Sequence, residues 1–266
     1  METWYSSREK SYLAMVDIHS HILWGLDDGS ETYEESLAML RAAAESGTTD
    51  IVATPHSNSH YAFVPEEIDQ KITQLQSVVG TPRVHRGCDF HLNFANVQSA
   101  LENLTKYTIN HRNYLLVEFP DVSIPVGMDG VFSQLLSCGL VPIITHPERN
   151  ELLMQDLGQL AKWAEQGCLL QVTALSLTGG FGPSALEHAW NLVDRRLVQV
   201  VASDAHDPVH RHPRLDQAFA EVAKRAGEVN ALRLFERNPR AIIEGRHSEA
   251  IEPMSQSRRR RFRFWL

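Results

Sequence analysis

Asp17-Ile18-His19-Ser20-His21 decides how the rest of the chain is read. On a strand alternate side chains share a face, so His19 and His21 can point at one ion. The motif closes a short apolar run, and the arrangement returns along the chain. Ile51-Val52-Ala53-Thr54 leads to His56, Leu115-Leu116-Val117 to Glu118, Val141-Pro142-Ile143-Ile144-Thr145 to His146, and Gln199-Val200-Val201-Ala202-Ser203 to Asp204 and His206. A chain that ends strand after strand on a ligand-type residue builds a metal site at the strand ends.

Apolar runs of strand length alternate with stretches of helical period, the pattern of repeated βα units around a parallel sheet. Strands are expected near 14–19, 50–54, 83–88, 114–118, 141–145, 168–172 and 198–203. Helices are expected near 32–46, 65–79, 97–103, 127–138, 156–166, 183–194 and 214–226. Thr32 with Glu35 forms a capping box, and Gly47, Gly80, Gly139 and Gly167 read as helix stops. Seven such units make an α/β fold, a distorted seven-stranded (βα)7 TIM-like barrel, whose reactive residues gather at the carboxyl ends of the strands.

The 266 residues, 43% of them apolar, suffice for one core and one domain. That domain is expected over 15–247, after an extension at 1–14 and before a flexible, solvated tail at 248–266 in which Arg258 to Arg261 precede Phe262-Arg263-Phe264-Trp265-Leu266. A formal charge of -8 argues against a broad nucleic-acid footprint, which needs basic surface. Cys88, Cys138 and Cys168 are well separated, which indicates neither a disulfide framework nor a thiolate zinc site. With no apolar run of signal-peptide or membrane-spanning type, a cytoplasmic protein with no transmembrane segment is expected.

Imidazole is a common ligand of transition metals, and the i, i+2 spacing of His19 and His21 returns at Asp204 and His206. Two histidines on a strand could instead pack and hydrogen-bond; the acidic residues downstream favour ligation. In Asp27-Asp28-Gly29 an ordinary turn competes equally with ligation for Asp27, and less so for Asp28. Asp89 and Glu118 are strand-end carboxylates, costly at a barrel mouth unless they meet a cation. The remaining histidines are read as surface or structural residues. The donor pool exceeds the needs of one tetrahedral ion, so two or three divalent ions are expected, with manganese, iron and zinc all compatible. Arg149, three residues beyond His146, and Arg211, five beyond His206, can overhang that mouth. Guanidinium binds phosphate bidentately, which favours a phosphoester substrate; the alternative for either arginine is an exterior salt bridge. No cysteine is followed six residues later by arginine, since those positions are Phe94, Ile144 and Ala174, so a cysteine-thiolate phosphatase is excluded.

The series DIHSH, LDDG, ATPH, EF, THPER and SDAH, over about 17–211, resembles the motifs of the polymerase and histidinol phosphatase (PHP) superfamily. Within it, LDDG, THPER, the stretch QVTALSLTGGFG from Gln171 to Gly182, and Arg211 after SDAH resemble the bacterial capsular-polysaccharide protein tyrosine phosphatases. The resemblance implies a PHP fold, a trinuclear centre of manganese type, and hydrolysis of phosphotyrosine on an autophosphorylating tyrosine kinase of polysaccharide export. A homo-oligomer is compatible with it. It implies ligands at His19, His21, Asp28, His56, Glu118, His146, Asp204 and His206, and catalytic phosphate-binding roles for Arg149 and Arg211. Gly87-Cys88-Asp89 departs from the usual Gly-x-Glu, so Asp89 stands one methylene short of the expected bridging glutamate. The rival readings are a phosphatase of histidinol phosphate or another small phosphomonoester, an amidohydrolase-type enzyme, which commonly adds a lysine near the fourth strand where Glu118 stands here, and a weakly active metal-binding module that docks a kinase.

Overall fold

The computed structural model describes residues 13–249; most of the expected extension and tail lie outside them. Among the described residues there are nine strands: β1 Met15–Ser20, β2 Thr48–Ala53, β3 His56–Ser57, β4 Arg83–Arg86, β5 Asp89–His91, β6 Tyr114–Glu118, β7 Val141–Thr145, β8 Leu169–Thr173 and β9 Val200–Ala202. All pair in parallel, in two sheets of order β1-β2-β4 and β3-β5-β6-β7-β8-β9. The longer helices are α1 Tyr33–Glu45, α2 Pro65–Gln76, α3 Phe94–Glu102, α4 Met128–Ser137, α6 Leu157–Gln166, α8 Gly182–Asp194 and α9 Asp216–Ala226, with the short α5 Glu151–Gln155, α7 Ala174–Thr178, α10 Glu228–Leu232 and α11 Asn238–Glu244 between and after them.

Hydrogen bonding thus divides the strands into two sheets where seven strands of one barrel were expected, and two local features explain it. The chain of β2 crosses to the larger sheet as β3 at Thr54-Pro55, where proline has no N–H for the ladder. The expected strand at 83–88 likewise breaks into β4 and β5 at Gly87-Cys88. A Cβ on Gly87 would lie 2.7 Å from Val52 Cγ1 and 3.0 Å from Thr54 Cγ2, so only glycine lets the strand pass this close. At the far edge Ser20 bridges Ala205, the His21 N–H donates to Ala205 O at 2.7 Å, and the Asp204 N–H donates to His19 O at 2.8 Å.

Alternation on the strands sorts the core. Tyr114 and Leu116 of β6 pack with Val52, Ile143 and Val200 on the inner side, whereas Leu115 and Val117 pack outward with Phe132 and Trp163 under the helices. Glu118, two residues beyond Leu116, inherits the inner direction at the strand end. The caps follow the sequence. Thr32 Oγ1 accepts from the Glu35 N–H at 3.2 Å, while the Glu35 carboxylate reaches back to the Glu31 N–H at 2.8 Å. Gly139 and Gly167, both with positive φ, end α4 and α6 with bonds typical of left-handed caps. Gly80 is not such a stop. Helix α2 ends earlier because the Gln76 side chain donates to Val79 O at 2.6 Å and accepts from the Val84 N–H at 2.8 Å.

Helix α11, unforeseen in the sequence, covers the inner core from the end opposite the ligand residues: Ile242 and Ile243 join Val16, Tyr114 and Val200. Arg240 anchors it through a 3.0 Å bond to Asp50, a buried carboxylate that burial would raise but that His85 and Arg240 hold below the usual carboxylate range. Ile242→Ala is expected to destabilise the protein by about 2–5 kcal/mol. Urea unfolding followed by circular dichroism checks this, and an unchanged midpoint would show that α11 does not close the core.

Candidate metal centre

His19 stands one residue before the end of β1, and His21 lies just beyond the strand. Their Nε2 atoms nevertheless come within 3.3 Å of each other. Partners on the other ring nitrogens explain why. His19 Nδ1 donates to Gln171 Oε1 at 2.8 Å and His21 Nδ1 donates to Asp27 Oδ2 at 2.7 Å. Each ring therefore carries a proton on Nδ1 and turns its Nε2 toward the same point, the usual outer support of a metal-binding histidine. Asp204 Oδ1 lies 3.3 Å from His19 Nε2 and 3.4 Å from His21 Nε2.

The other donors extend the cluster. Asp89 Oδ2 stands 3.5 Å from His19 Nε2 and 3.2 Å from His56 Nδ1, and Glu118 Oε2 stands 3.6 Å from His56 Nδ1. His146 Nε2 is 3.7 Å from Glu118 Oε1, while Asp28 Oδ1 is 3.3 Å from His56 Nε2 and 3.5 Å from His206 Nε2. Four groups result among the described residues: His21, Asp28, His56 and His206; His19, His21 and Asp204; His19, Asp89 and His146; His56, Asp89 and Glu118. Within each group one ligand atom per residue lies within 4.8 Å of the others. The nine residues are those expected from the sequence as metal ligands, and the structure brings all of them together. Sharing of His19, His21, His56 and Asp89 between groups gives a geometry that could hold more than one ion. Asp89 belongs to two groups although it is one methylene shorter than glutamate.

The donor set fits divalent cations better than it fits itself. Both Asp89 carboxylate oxygens and His56 Nδ1 are buried without a hydrogen-bond partner, a costly state for a polar group unless a cation meets it. Charge tells the same story. Burial opposes ionisation of Asp89 and Asp204, yet the neighbouring imidazoles hold both well below the usual carboxylate range. Burial disfavours a charged His56, but Asp28, Asp89 and Glu118 outweigh it and push the ring up to about 11. The acidic groups demand positive charge there. His146 goes the other way, to about 3, through burial and then the Arg149 cation.

Backbone strain aims two residues of the cluster. His146 and Asp204 follow β7 and β9 with φ of 33° and 50°, left-handed values uncommon outside glycine and worth maintaining only where the fold imposes them. The LDDG loop is fixed by close packing, because a Cβ on Gly29 would fall 2.2 Å from His21 O and 2.4 Å from His21 Cβ. Glycine lets the loop fold onto His21 so that Asp27 reaches it. Asp27 also accepts from the His56 N–H at 3.1 Å, so its part is to orient two histidines.

Arg149 and Arg211 both reach Asp204. Arg149 Nη1 donates to Asp204 Oδ2, and Arg211 Nη2 donates to the same oxygen at 2.7 Å and to Asp204 O at 3.2 Å. Asp204 thereby divides its oxygens, Oδ1 to the imidazoles and Oδ2 to the guanidiniums. The Arg211 loop is shaped by Asp207, whose carboxylate accepts from the N–H groups of Val209, His210 and Arg211. A cavity of about 300 Å³ lined by Glu118, Phe119, His146, Arg149 and Asn150 opens beside the cluster. Sequence reasoning did not single out Gln171 or Asp207, and it left Asp27 between turn and ligand. A signal for Asp27 lay in LDDG; none marked a contact such as His19 with Gln171, 152 residues apart.

Parallel strands that end in a histidine and carboxylate cluster, overhung by two arginines, place this protein among metal-dependent hydrolases of α/β architecture. More narrowly, residues 15–244 match the family described as capsular polysaccharide synthesis, CpsB/CapC, and the chain belongs to it. It is 35% identical over 210 residues to the putative tyrosine-protein phosphatase CapC of Staphylococcus aureus, covering 77% of this chain and 82% of that one. It is 31% identical over 256 residues to the tyrosine-protein phosphatase YwqE of Bacillus subtilis (strain 168), covering 94% and 100%. A chain from the crystal structures of YwqE and of CpsB from Streptococcus pneumoniae, described as unique metal-dependent tyrosine phosphatases, matches with a TM-score of 0.82 and 29% identity over 91% of this chain and 100% of that chain.

Asp27→Asn is expected to leave the fold intact and weaken metal binding about 10–100-fold, because His21 exchanges a charged acceptor for an amide whose one oxygen cannot serve both His21 and the Gly29 N–H. Titration of the chelator-stripped protein with manganese, read by calorimetry, checks this; parent-like affinity would show that Asp27 does not orient His21.

Proposed function

We propose that this chain is a metal-dependent protein tyrosine phosphatase of capsule or exopolysaccharide synthesis, acting in the cytoplasm on an autophosphorylating tyrosine kinase of polysaccharide export. The observation that carries the reading is Asp204, one carboxylate shared between the imidazole cluster and both arginines. The sharing sets both guanidiniums against the histidine and carboxylate cluster, which supports a phosphate-binding role for the pair beside bound cations. Family membership and the names of the relatives support the substrate class. On this reading His19, His21, Asp28, His56, Asp89, Glu118, His146, Asp204 and His206 hold two or three divalent ions, manganese foremost with iron or zinc as alternatives. The two sheets act as one distorted seven-stranded PHP barrel over 15–247, a view supported by the chain continuity at Pro55 and Gly87 and by the contacts of Ser20 with Ala205.

Bound divalent ions supply Lewis acidity, stabilising charge on phosphoryl oxygens and making water more acidic. The chain's own residues do the remainder. Arg149 and Arg211 bind phosphoryl oxygens through paired N–H donors and orient the phosphorus toward the cluster. The leaving group is a phenolate; with a phenol pKa near ~10 it departs more readily than an alkoxide, so no strong general acid is needed. Two of the three cysteines, Cys88 and Cys168, offer no competing nucleophile. Cys88 is buried, and burial together with the Asp89 carboxylate pushes its thiol well up; burial pushes Cys168 up to about 12.

The test is hydrolysis of a phosphotyrosine peptide, beside histidinol phosphate, by metal-stripped protein reloaded with manganese, iron or zinc. Turnover is expected on the peptide, to vanish with chelator, and to fall about 10²-fold or more in Arg149→Ala, which loses donors to the transition-state charge. Preference for histidinol phosphate would sink the protein-substrate reading, and an Arg149→Ala variant as fast as the parent would sink the phosphate clamp.

A further inference from the structure

Three segments remote in sequence meet at the guanidinium pair. Arg149 arrives on the turn after β7, Arg211 on the loop after β9, and Phe181 on Gly179-Gly180-Phe181-Gly182 at the start of α8. Arg149 Cζ lies 4.3 Å and Arg211 Cζ 5.6 Å from the Phe181 ring centroid. Both distances fall where the negative face of an aromatic ring attracts a cation. We propose that Phe181 is the positioning residue of the arginine pair: its ring holds both guanidiniums at the mouth of the cluster, already oriented for a substrate's phosphoryl oxygens. The inference rests on the phosphate-binding role given to the arginines above.

The local sequence is built around that ring. Phe181 occupies the cap position of α8, yet its side chain makes no cap hydrogen bond, although serine, threonine, aspartate and asparagine are the usual residues there. Gly179 and Gly182 flank it with φ of +89° and +87°, conformations that glycine adopts without strain. A Cβ on Gly180 would press on Leu175 at 3.1 Å. Three glycines and a forgone cap thus produce a tight turn whose one substantial side chain lies on the arginines.

The arrangement also answers an electrostatic need. Arg149 and Arg211 carry like charge and converge on one oxygen, Asp204 Oδ2, which neutralises only part of it. Glu148 and Glu118 act on Arg149 without pairing with it, and a further carboxylate in direct contact would restrain the arginines but would repel an incoming phosphate dianion. An aromatic face attracts both cations, carries no net charge and offers no lone pair that competes for the guanidinium donors. The arginines therefore lose rotamer freedom before substrate arrives, and binding costs less.

Phe181→Leu, with Phe181→Met as a second non-aromatic variant, is compared with Phe181→Tyr, which keeps the ring. Arginine-selective NMR of the full chain reads the stack without turnover: ring current shifts the Arg149 side-chain protons upfield in the parent and in Phe181→Tyr, and the shift disappears in the other two. In the manganese-loaded protein, KM for a phosphotyrosine peptide and the inhibition constant of inorganic phosphate are expected to rise about tenfold in Phe181→Leu and Phe181→Met. Phe181→Tyr stays near the parent, and metal content and unfolding midpoint hold throughout. Retention of the upfield shift or of phosphate affinity in both non-aromatic variants overturns the proposal, as does an equal loss in Phe181→Tyr. A parent that hydrolyses no phosphotyrosine fails the functional reading instead, and the NMR comparison with phosphate inhibition of whatever phosphoester it does cleave then decides Phe181's part.

Discussion

Nine lone-pair donors turned toward one another inside a largely dry mouth are the constraint on which this structure depends. Carboxylates crowded this closely repel one another, and only positive charge, on the imidazole rings or on a bound cation, reconciles them. The fold answers in three ways. Ring protons are drawn outward to Gln171 Oε1 and Asp27 Oδ2, so that the opposite nitrogens face in. Two guanidiniums are drawn to the outer oxygen of Asp204. The remaining deficit, concentrated on Asp89 and His56, is the part that a bound cation fits.

That constraint explains why so much irregular backbone surrounds the centre. Regular strands alternate their side chains and cannot by themselves converge nine residues on a small volume. Here β2 and β4 are interrupted and resume as β3 and β5, delivering His56 and Asp89 paired in register. His146 and Asp204 turn inward through left-handed backbone. The apolar interior under them, from Val16 to Ile243, is the rigid support that maintains these strained turns.

Much of this was legible in the sequence, for identifiable reasons. The limits of β6 and β7 agree to the residue with the expected 114–118 and 141–145, because each is a buried apolar run bounded by polar turn signals. The capping residue Thr32 and the glycine stops at Gly139 and Gly167 were readable from local chemistry alone. Strands of two or three residues, such as β3 and β5, carry too little periodicity to be seen. Helix α11 was hidden by Pro239, which reads as a breaker but occupies the first turn, where proline is tolerated. The nine clustered residues were legible because they punctuate strands. The supporting contacts were not: Gln171 and Phe181 lie in the quoted stretch QVTALSLTGGFG, but the approach of Gln171 to His19, of Phe181 to the arginines and of Asp207 to its turn arises only in the tertiary fold.

The division of the strands into two sheets carries a consequence for the life of the protein in a cell. His19 belongs to the smaller sheet, and His56, Asp89 and Glu118 to the larger, so any cation shared among them clasps the two halves across their seam. Ligand binding of this kind adds to folding stability by mass action. Supply of the ion would then govern how often the seam opens to proteases, and scarcity would deplete the population of molecules as well as silence each one.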